Sequence, residues 1–161
     1  MSWILFDLPL HPLFVHAAVI AIPVVALLAI AAAWVTKVRD WLGIVLPILA
    51  SLGFIAALLA KQAGEALETQ IAETAAVAAH TGIADIAVAG GFLLLLVTWA
   101  QWVWEHIFVQ VRPGRTQARV TKASTARRVA IVISVVQTLV AVFAIVAVII
   151  VGDTGARAVW Q

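Results

Sequence analysis

Residues 13–35 read LFVHAAVIAIPVVALLAIAAAWV and contain no Lys, Arg, Asp or Glu. A helix of about 20 mostly apolar residues crosses the hydrocarbon core of a bilayer. The apolar run is too long for the hydrophobic region of a signal peptide, and no basic segment precedes it. This stretch therefore predicts a first membrane-spanning helix that is not cleaved.

The composition of the whole chain predicts the same class of protein. Of its 161 residues, 65% are hydrophobic and only 11% are charged, whereas a soluble domain carries about 25% charged residues. Three further apolar stretches, 41–60, 83–104 and 129–151, are long enough to span a membrane. The predicted fold is all-α, a single domain that forms an integral membrane four-helix antiparallel bundle. The absence of cysteine excludes disulfides, thiolate metal sites and thiol nucleophiles.

The connections between the spans carry charge asymmetrically. Eight of the ten Lys and Arg residues fall in the first and third connections: Lys37, Arg39, Arg112, Arg115, Arg119, Lys122, Arg127 and Arg128. Most acidic residues fall on the opposite side. The positive-inside rule then places both termini outside. Residues 61–82 become an outer loop or amphipathic segment, and residues 105–128 a basic cytoplasmic loop.

The basic loop predicts a lipid-facing anchor rather than a nucleic-acid site. No aromatic residue is interleaved with the charges of Arg112–Arg128, and such interleaving is typical of surfaces that bind nucleic acid. Basic loops at this side of a membrane also attract anionic headgroups. We therefore expect the lipid bilayer as a partner and no nucleic acid.

Small and polar residues within the spans predict how the helices pack. Small residues recur four apart at Ala29/Ala33, Gly53/Ala57 and Ala87/Gly91, a spacing that lets membrane helices approach closely. Four polar side chains are expected to form hydrogen bonds between helices: Ser51, Ser134, Gln137 and Thr138.

Titratable residues cluster at the predicted outer side and give the candidate site. His16 lies one turn inside the first span, where an imidazole needs a polar partner or a wet cavity. His80 stands near the outer end of the third span at a similar depth, and Glu65 and Glu68 follow the second span. His11 is interpreted as a residue that precedes the first helix, because Pro12 is a natural first helical residue.

Two cofactors suit these residues. His16 and His80, on different helices, suit the axial ligation of a b-type haem for electron transfer. Together with Glu65 or Glu68 they would instead form an N/O ligand set for a divalent metal such as zinc, iron or manganese. No catalytic motif is present: the chain lacks an HExxH pair, a phosphate-binding loop and a nucleophile elbow.

Two alternatives from other functional classes stay open at this point. In the first, the chain is a cofactor-free accessory subunit that assembles with a larger membrane complex or as a homo-oligomer. The polar cluster would then only fix the helix ends. In the second, the chain transports a small solute or protons through His16, and four spans would need to oligomerise to form a pathway.

The segment His11–His16, HPLFVH, with Pro23 seven residues further on, resembles the start of a bacterial membrane family, domain of unknown function 2231 (DUF2231). The segments Gly64–Glu68 and Gly152–Trp160 are similar to that family's Gly-Glu turn and its glycine-containing end. The final histidine of many members is missing here. The resemblance implies a four-helix inner-membrane protein. It also favours a redox or cofactor-bearing role, because some members are joined to Rieske-type or cytochrome-like domains.

Overall fold

The computed structural model describes residues 4–5, 8–71, 74–109 and 123–160, and nearly all of them are helical. Two short strands, β1 (Ile4–Leu5) and β2 (Leu8–Pro9), pair with each other before the first helix. The helices are α1 (His11–Trp34), α2 (Thr36–Leu42), α3 (Val45–Glu68), α4 (Ala75–Thr81), α5 (Ala84–Val103) and α6 (Ala123–Trp160). A π-helical segment, Trp104–Val109, continues α5.

Four helical segments are long and apolar enough to span a membrane, which confirms the predicted all-helical membrane class. They are His11–Trp34, Val45–Glu68, Ala75–His106 and Arg127–Ala158. Three of them begin before the predicted stretch, whereas the second begins at Val45 rather than at 41, because Gly43, with a φ of +48°, ends α2 there. The second, third and fourth continue past the predicted end. The predicted segment 61–82 therefore contains the end of α3 and all of α4. Most of the predicted basic loop lies outside the described residues, including Arg112, Arg115, Arg119 and Lys122.

The four long helices pack in a ring around a core of small side chains. Helix α1 contacts α3 and α6, and α5 contacts the same two helices. Ala26, Ala29 and Ala144 are completely buried at these interfaces, with Ile22 and Leu94 as the largest apolar side chains of the core. Small residues allow the helix backbones to approach closely, which is how membrane helices gain packing energy without a hydrophobic driving force between them.

Polar side chains join the helices at several heights, and the four predicted interhelical hydrogen bonds are confirmed. Ser134 donates to the Ala33 carbonyl at 2.8 Å, and Thr138 accepts from Trp34 Nε1 at 2.9 Å. Ser51 accepts from Trp99 Nε1 at 3.1 Å.

Gln137 is the most buried of the side chains that form these hydrogen bonds. It is completely buried, and its Nε2 donates both to the Ala29 carbonyl at 2.8 Å and to Gln101 Oε1 at 2.9 Å. These bonds connect α6 to both α1 and α5.

The outward faces of the long helices are apolar. Leu139 and Ile149 on α6 are 65% and 62% exposed, and Leu27 on α1 is similarly exposed. Large contiguous apolar surfaces are rare on soluble monomers. An outer surface of this kind is what a bundle presents to lipid.

Candidate functional site

The candidate site lies where the start of α1 meets the ends of α3, α4 and α6. His11, in the first turn of α1, places its ring 6.5 Å from the ring of His80, in the last turn of α4, and the two rings are nearly perpendicular. Both side chains are half-buried. The structure therefore brings two imidazoles together from different helices at one end of the bundle.

Internal hydrogen bonds determine which nitrogen of each ring carries the proton. His11 Nδ1 lies 2.8 Å from the Ala60 carbonyl, which can only accept, so Nδ1 is the donor. His80 Nδ1 lies 3.2 Å from Thr154 Oγ1. The Thr154 hydroxyl donates its own hydrogen to the carbonyls of Ile150 and Val151, so it accepts from His80. In the neutral rings, both Nε2 atoms then keep a lone pair.

Two glycines make room for the two rings. A Cβ at position 64 would lie 2.9 Å from His11 Nδ1 and Cε1, and a Cβ at position 155 would lie 3.0 Å from His80 Cε1. Contacts of this length are too short for a side-chain carbon. Gly64 and Gly155 therefore let the imidazoles lie directly against the backbones of α3 and α6.

The sequence-predicted ligands are distributed differently around this pair. His16 is exposed, and its Nδ1 lies 2.6 Å from the Pro12 carbonyl of the same helix. It lies five residues after His11, which places it about 140° around the helix from that residue. His80 thus has His11, not His16, as its neighbouring ring.

The two glutamates also have separate surroundings. Glu65 forms an ion pair with Lys61 at 3.1 Å, and Lys61 pairs with Asp85 of α5 at 2.8 Å. Glu68 is near enough to His80 to interact with its charge. Among the residues that the structure describes, no three His, Asp or Glu side chains are placed to hold a metal ion.

His11 and Thr154 are the members of the site that sequence reasoning missed. His11 was assigned to the segment before the helix because Pro12 was taken as the first helical residue, yet α1 begins at His11. The His11 side chain reaches the Ala60 carbonyl of α3. Gly64 and Gly155 were the signal that the sequence offered for this site. Each allows an imidazole from another helix to lie against the backbone of its own helix.

Comparison with protein families, with curated proteins and with solved structures found no match to the chain. Its functional assignment therefore depends on the geometry of its own residues.

Proposed function

We propose that this chain is a multi-pass protein of the bacterial inner membrane that binds a haem b or a metal ion between His11 and His80. The observation that carries the proposal is the pair of half-buried imidazoles, each with its Nδ1 proton held by an internal acceptor. Histidines that bind metal almost always donate the other ring N–H in this way. A bound iron or copper would supply single-electron transfer.

The separation of the rings fits ligation of one metal from opposite sides. A histidine nitrogen lies about 2 Å from a metal that it binds, so two such rings on opposite sides have centroids about 6 Å apart. The observed separation is 6.5 Å. Because the described residues supply two imidazoles and no third ligand, His11 and His80 would suit a haem iron, which takes two protein ligands, better than a zinc site with four.

The proposed topology is an antiparallel bundle with both termini outside. Its support is that the first turn of α1 contacts the Ala60 carbonyl near the end of α3, while the last turn of α1 contacts Ser134 in the first half of α6. The positive-inside count supports the orientation. This topology puts the histidine pair at the outer face, facing away from the basic connections.

We also infer a relationship to DUF2231 from the segment His11–His16. In this chain the first histidine of that segment approaches a second histidine on another helix. Gly64 and Gly155, which belong to the other two similar segments, pack against the same two rings. All three segments that carry the resemblance therefore meet at one site.

An optical spectrum with elemental analysis of the detergent-purified protein tests the proposal. We expect a Soret band that shifts on reduction, or a stoichiometric metal, and loss of that signal in His11→Ala and in His80→Ala. His16→Ala and His106→Ala are matched controls that should keep the signal. Protein purified without chelators from haem-replete cells that shows neither signal would overturn the proposal, as would retention of the signal in both site variants.

Thr154→Val tests the site without removing a ligand. The substitution deletes the oxygen that accepts from His80 Nδ1, and loss of such an outer partner typically lowers metal affinity by about 10- to 100-fold. Titration with haemin, followed by absorbance, and with Zn²⁺, followed by calorimetry, measures the change. Thr69→Val is the control, because Thr69 is exposed and, among the described residues, its hydroxyl bonds to the Ala66 carbonyl alone. Equal effects of the two variants would contradict the assigned role of Thr154.

The competing proposal is a cofactor-free accessory subunit of a larger membrane complex or a homo-oligomer. Its support is that Ala60 and Thr154, within the chain itself, already hold both imidazoles. In that case the site variants would lower stability, and no spectrum or metal would be lost. Transport gains no support from the packing, because Ile22, Leu94 and the alanines fill the centre of the ring.

A further inference from the structure

A second polar site lies at the end of the bundle opposite to the histidine pair. A cavity of about 440 Å³ separates the start of α3 from the end of α5, with α2 and the π-helical segment at its mouth. Cavities of about 300–1,000 Å³ hold small ligands. It shares no residue with the histidine site, so what it binds is independent of the proposed function.

Both carboxylates that the sequence supplies at this end line the cavity. Residues 35–44 and 104–128 contain eight Lys and Arg but only two acidic residues, Asp40 and Glu105. Although they are far apart in sequence, the two carboxylates meet at the same cavity. Because Arg39 pairs with Glu105 in the same cavity, the two carboxylates leave one unit of negative charge there, which is a place for a positively charged group.

The cavity also presents hydrogen-bond donors. Arg39 Nε is 3.5 Å from Glu105 Oε1, an ion pair in which the buried Nε makes no hydrogen bond to any residue that the structure describes. Gln101 is only 4% exposed, and its Oε1 accepts from Gln137. Its Nε2 has no partner among the described residues and is left for a ligand. These donors require an acceptor, such as a phosphate oxygen, near the deep end.

The arrangement of charges suits a zwitterion better than a bare metal ion. In the described part of the chain, Asp40, Glu105 and His106 are not close enough together to share a metal ion. A longer group can place an ammonium at the carboxylates and an anion at Arg39 and Gln101. Trp102 supplies an aromatic wall of the cavity, a surface that also attracts cations.

The height of the cavity matches that of lipid headgroups. The cavity lies at the ends of the apolar helices, and Trp41, which directly follows its lining residue Asp40, is 80% exposed. Exposed tryptophans mark the membrane–water interface. In an ethanolamine phospholipid the phosphate lies nearer the hydrocarbon core than the ammonium does. In the cavity, Gln101 is likewise buried and Asp40 is exposed.

We propose that this cavity binds an ethanolamine phosphate group, with its ammonium between Asp40 and Glu105 and its phosphate at Arg39 and Gln101. The same group occurs in phosphatidylethanolamine and in free phosphoethanolamine. The depth of the cavity and the adjacent tryptophans favour the lipid.

The test has two arms. In the first, the chain is reconstituted in nanodiscs that contain equal amounts of phosphatidylethanolamine and phosphatidylglycerol, and retained lipids are identified by native mass spectrometry. In the second, delipidated protein is titrated with phosphoethanolamine by calorimetry. We expect preferential retention of phosphatidylethanolamine. Binding in the first arm alone assigns the lipid, and binding in both arms shows that the headgroup is sufficient.

The variants separate this site from general lipid binding. Asp40→Asn, at an exposed position that leaves the fold intact, should weaken binding about tenfold, as expected for loss of a charged hydrogen bond. Gln101→Leu, at the buried end of the cavity, should also weaken binding about tenfold. Asp153→Asn, at the far end of the bundle, is the matched control. Equal retention of both lipids without phosphoethanolamine binding would overturn the proposal, as would unchanged binding in Asp40→Asn.

Discussion

Gly90→Leu is expected to destabilise the bundle by roughly 1–3 kcal/mol or more, as overpacking of a well-packed core does. A Cβ at position 90 would lie 3.1 Å from Ala144 Cα and 3.5 Å from Ala144 Cβ. Because the nearer atom belongs to the backbone, rotation of a side chain cannot relieve the contact. Helices α5 and α6 must separate, and the surrounding alanine contacts must lengthen with them. Unfolding of the detergent-purified protein, followed by circular dichroism, measures the loss.

Gly152→Leu is the matched control for this substitution. Gly152 is also a helical glycine, on α6, and a Cβ there would have no neighbour within 4 Å. Leucine is a better helix former than glycine by up to about 1 kcal/mol, so this variant should be unchanged or slightly stabilised. If the two variants were equally stable, close packing at Gly90 would not be what holds α5 against α6.

Gln137→Ala is expected to cost about 2–4 kcal/mol. The substitution removes the second donor of the Ala29 carbonyl, which still accepts a bond within α1, and leaves Gln101 Oε1 buried without a donor. An unsatisfied buried group costs about 1–3 kcal/mol. Bonds between membrane helices average nearer 0.6 kcal/mol, while the void left by the side chain adds a further cost. Since Gln137 Oε1 is itself buried without a partner, its removal offsets part of the loss.

Two further variants check the cause of that loss. Gln70→Ala removes an exposed glutamine whose one hydrogen bond goes to the Ala66 carbonyl of its own helix, and it should change stability by less than about 0.5 kcal/mol. The double variant Gln101→Leu/Gln137→Leu replaces both amides with apolar groups and should recover part of the stability. A double variant less stable than the sum of the two single losses would contradict the hydrogen-bond explanation.

The sequence predicted the parts of the fold that depend on hydropathy and on small-residue spacing. The four apolar helices and the hydrogen bonds of Ser51, Ser134 and Thr138 follow from residues that would otherwise lie unpaired in lipid. The exact ends of the helices were harder to predict from the sequence. Hydropathy does not show which histidine of HPLFVH lies beside His80, because that depends on how α1 packs against the other helices.

Contacts between distant segments were beyond sequence reasoning for a different reason. Arg39, Asp40 and Glu105 were counted only as charges on one side of the membrane, because no local spacing relates residues of α2 to a π-helical segment. His80 was singled out correctly as a polar residue near a helix end. Its partner Thr154 was not, because a threonine near a helix end is ordinary in isolation.

The length of α6 has a mechanical consequence. Its 38 residues form a rod of about 57 Å at 1.5 Å per residue, against a hydrocarbon core of about 30 Å. Even when tilted by about 40°, it covers about 44 Å along the membrane normal. One end carries Thr154 and Gly155 against His80, and the other begins next to the basic connection. A rotation of about 10° about the midpoint would move the two ends about 5 Å in opposite directions. A ligand bound at the proposed histidine site would therefore act on one end of a rod whose other end lies at the opposite face of the bundle.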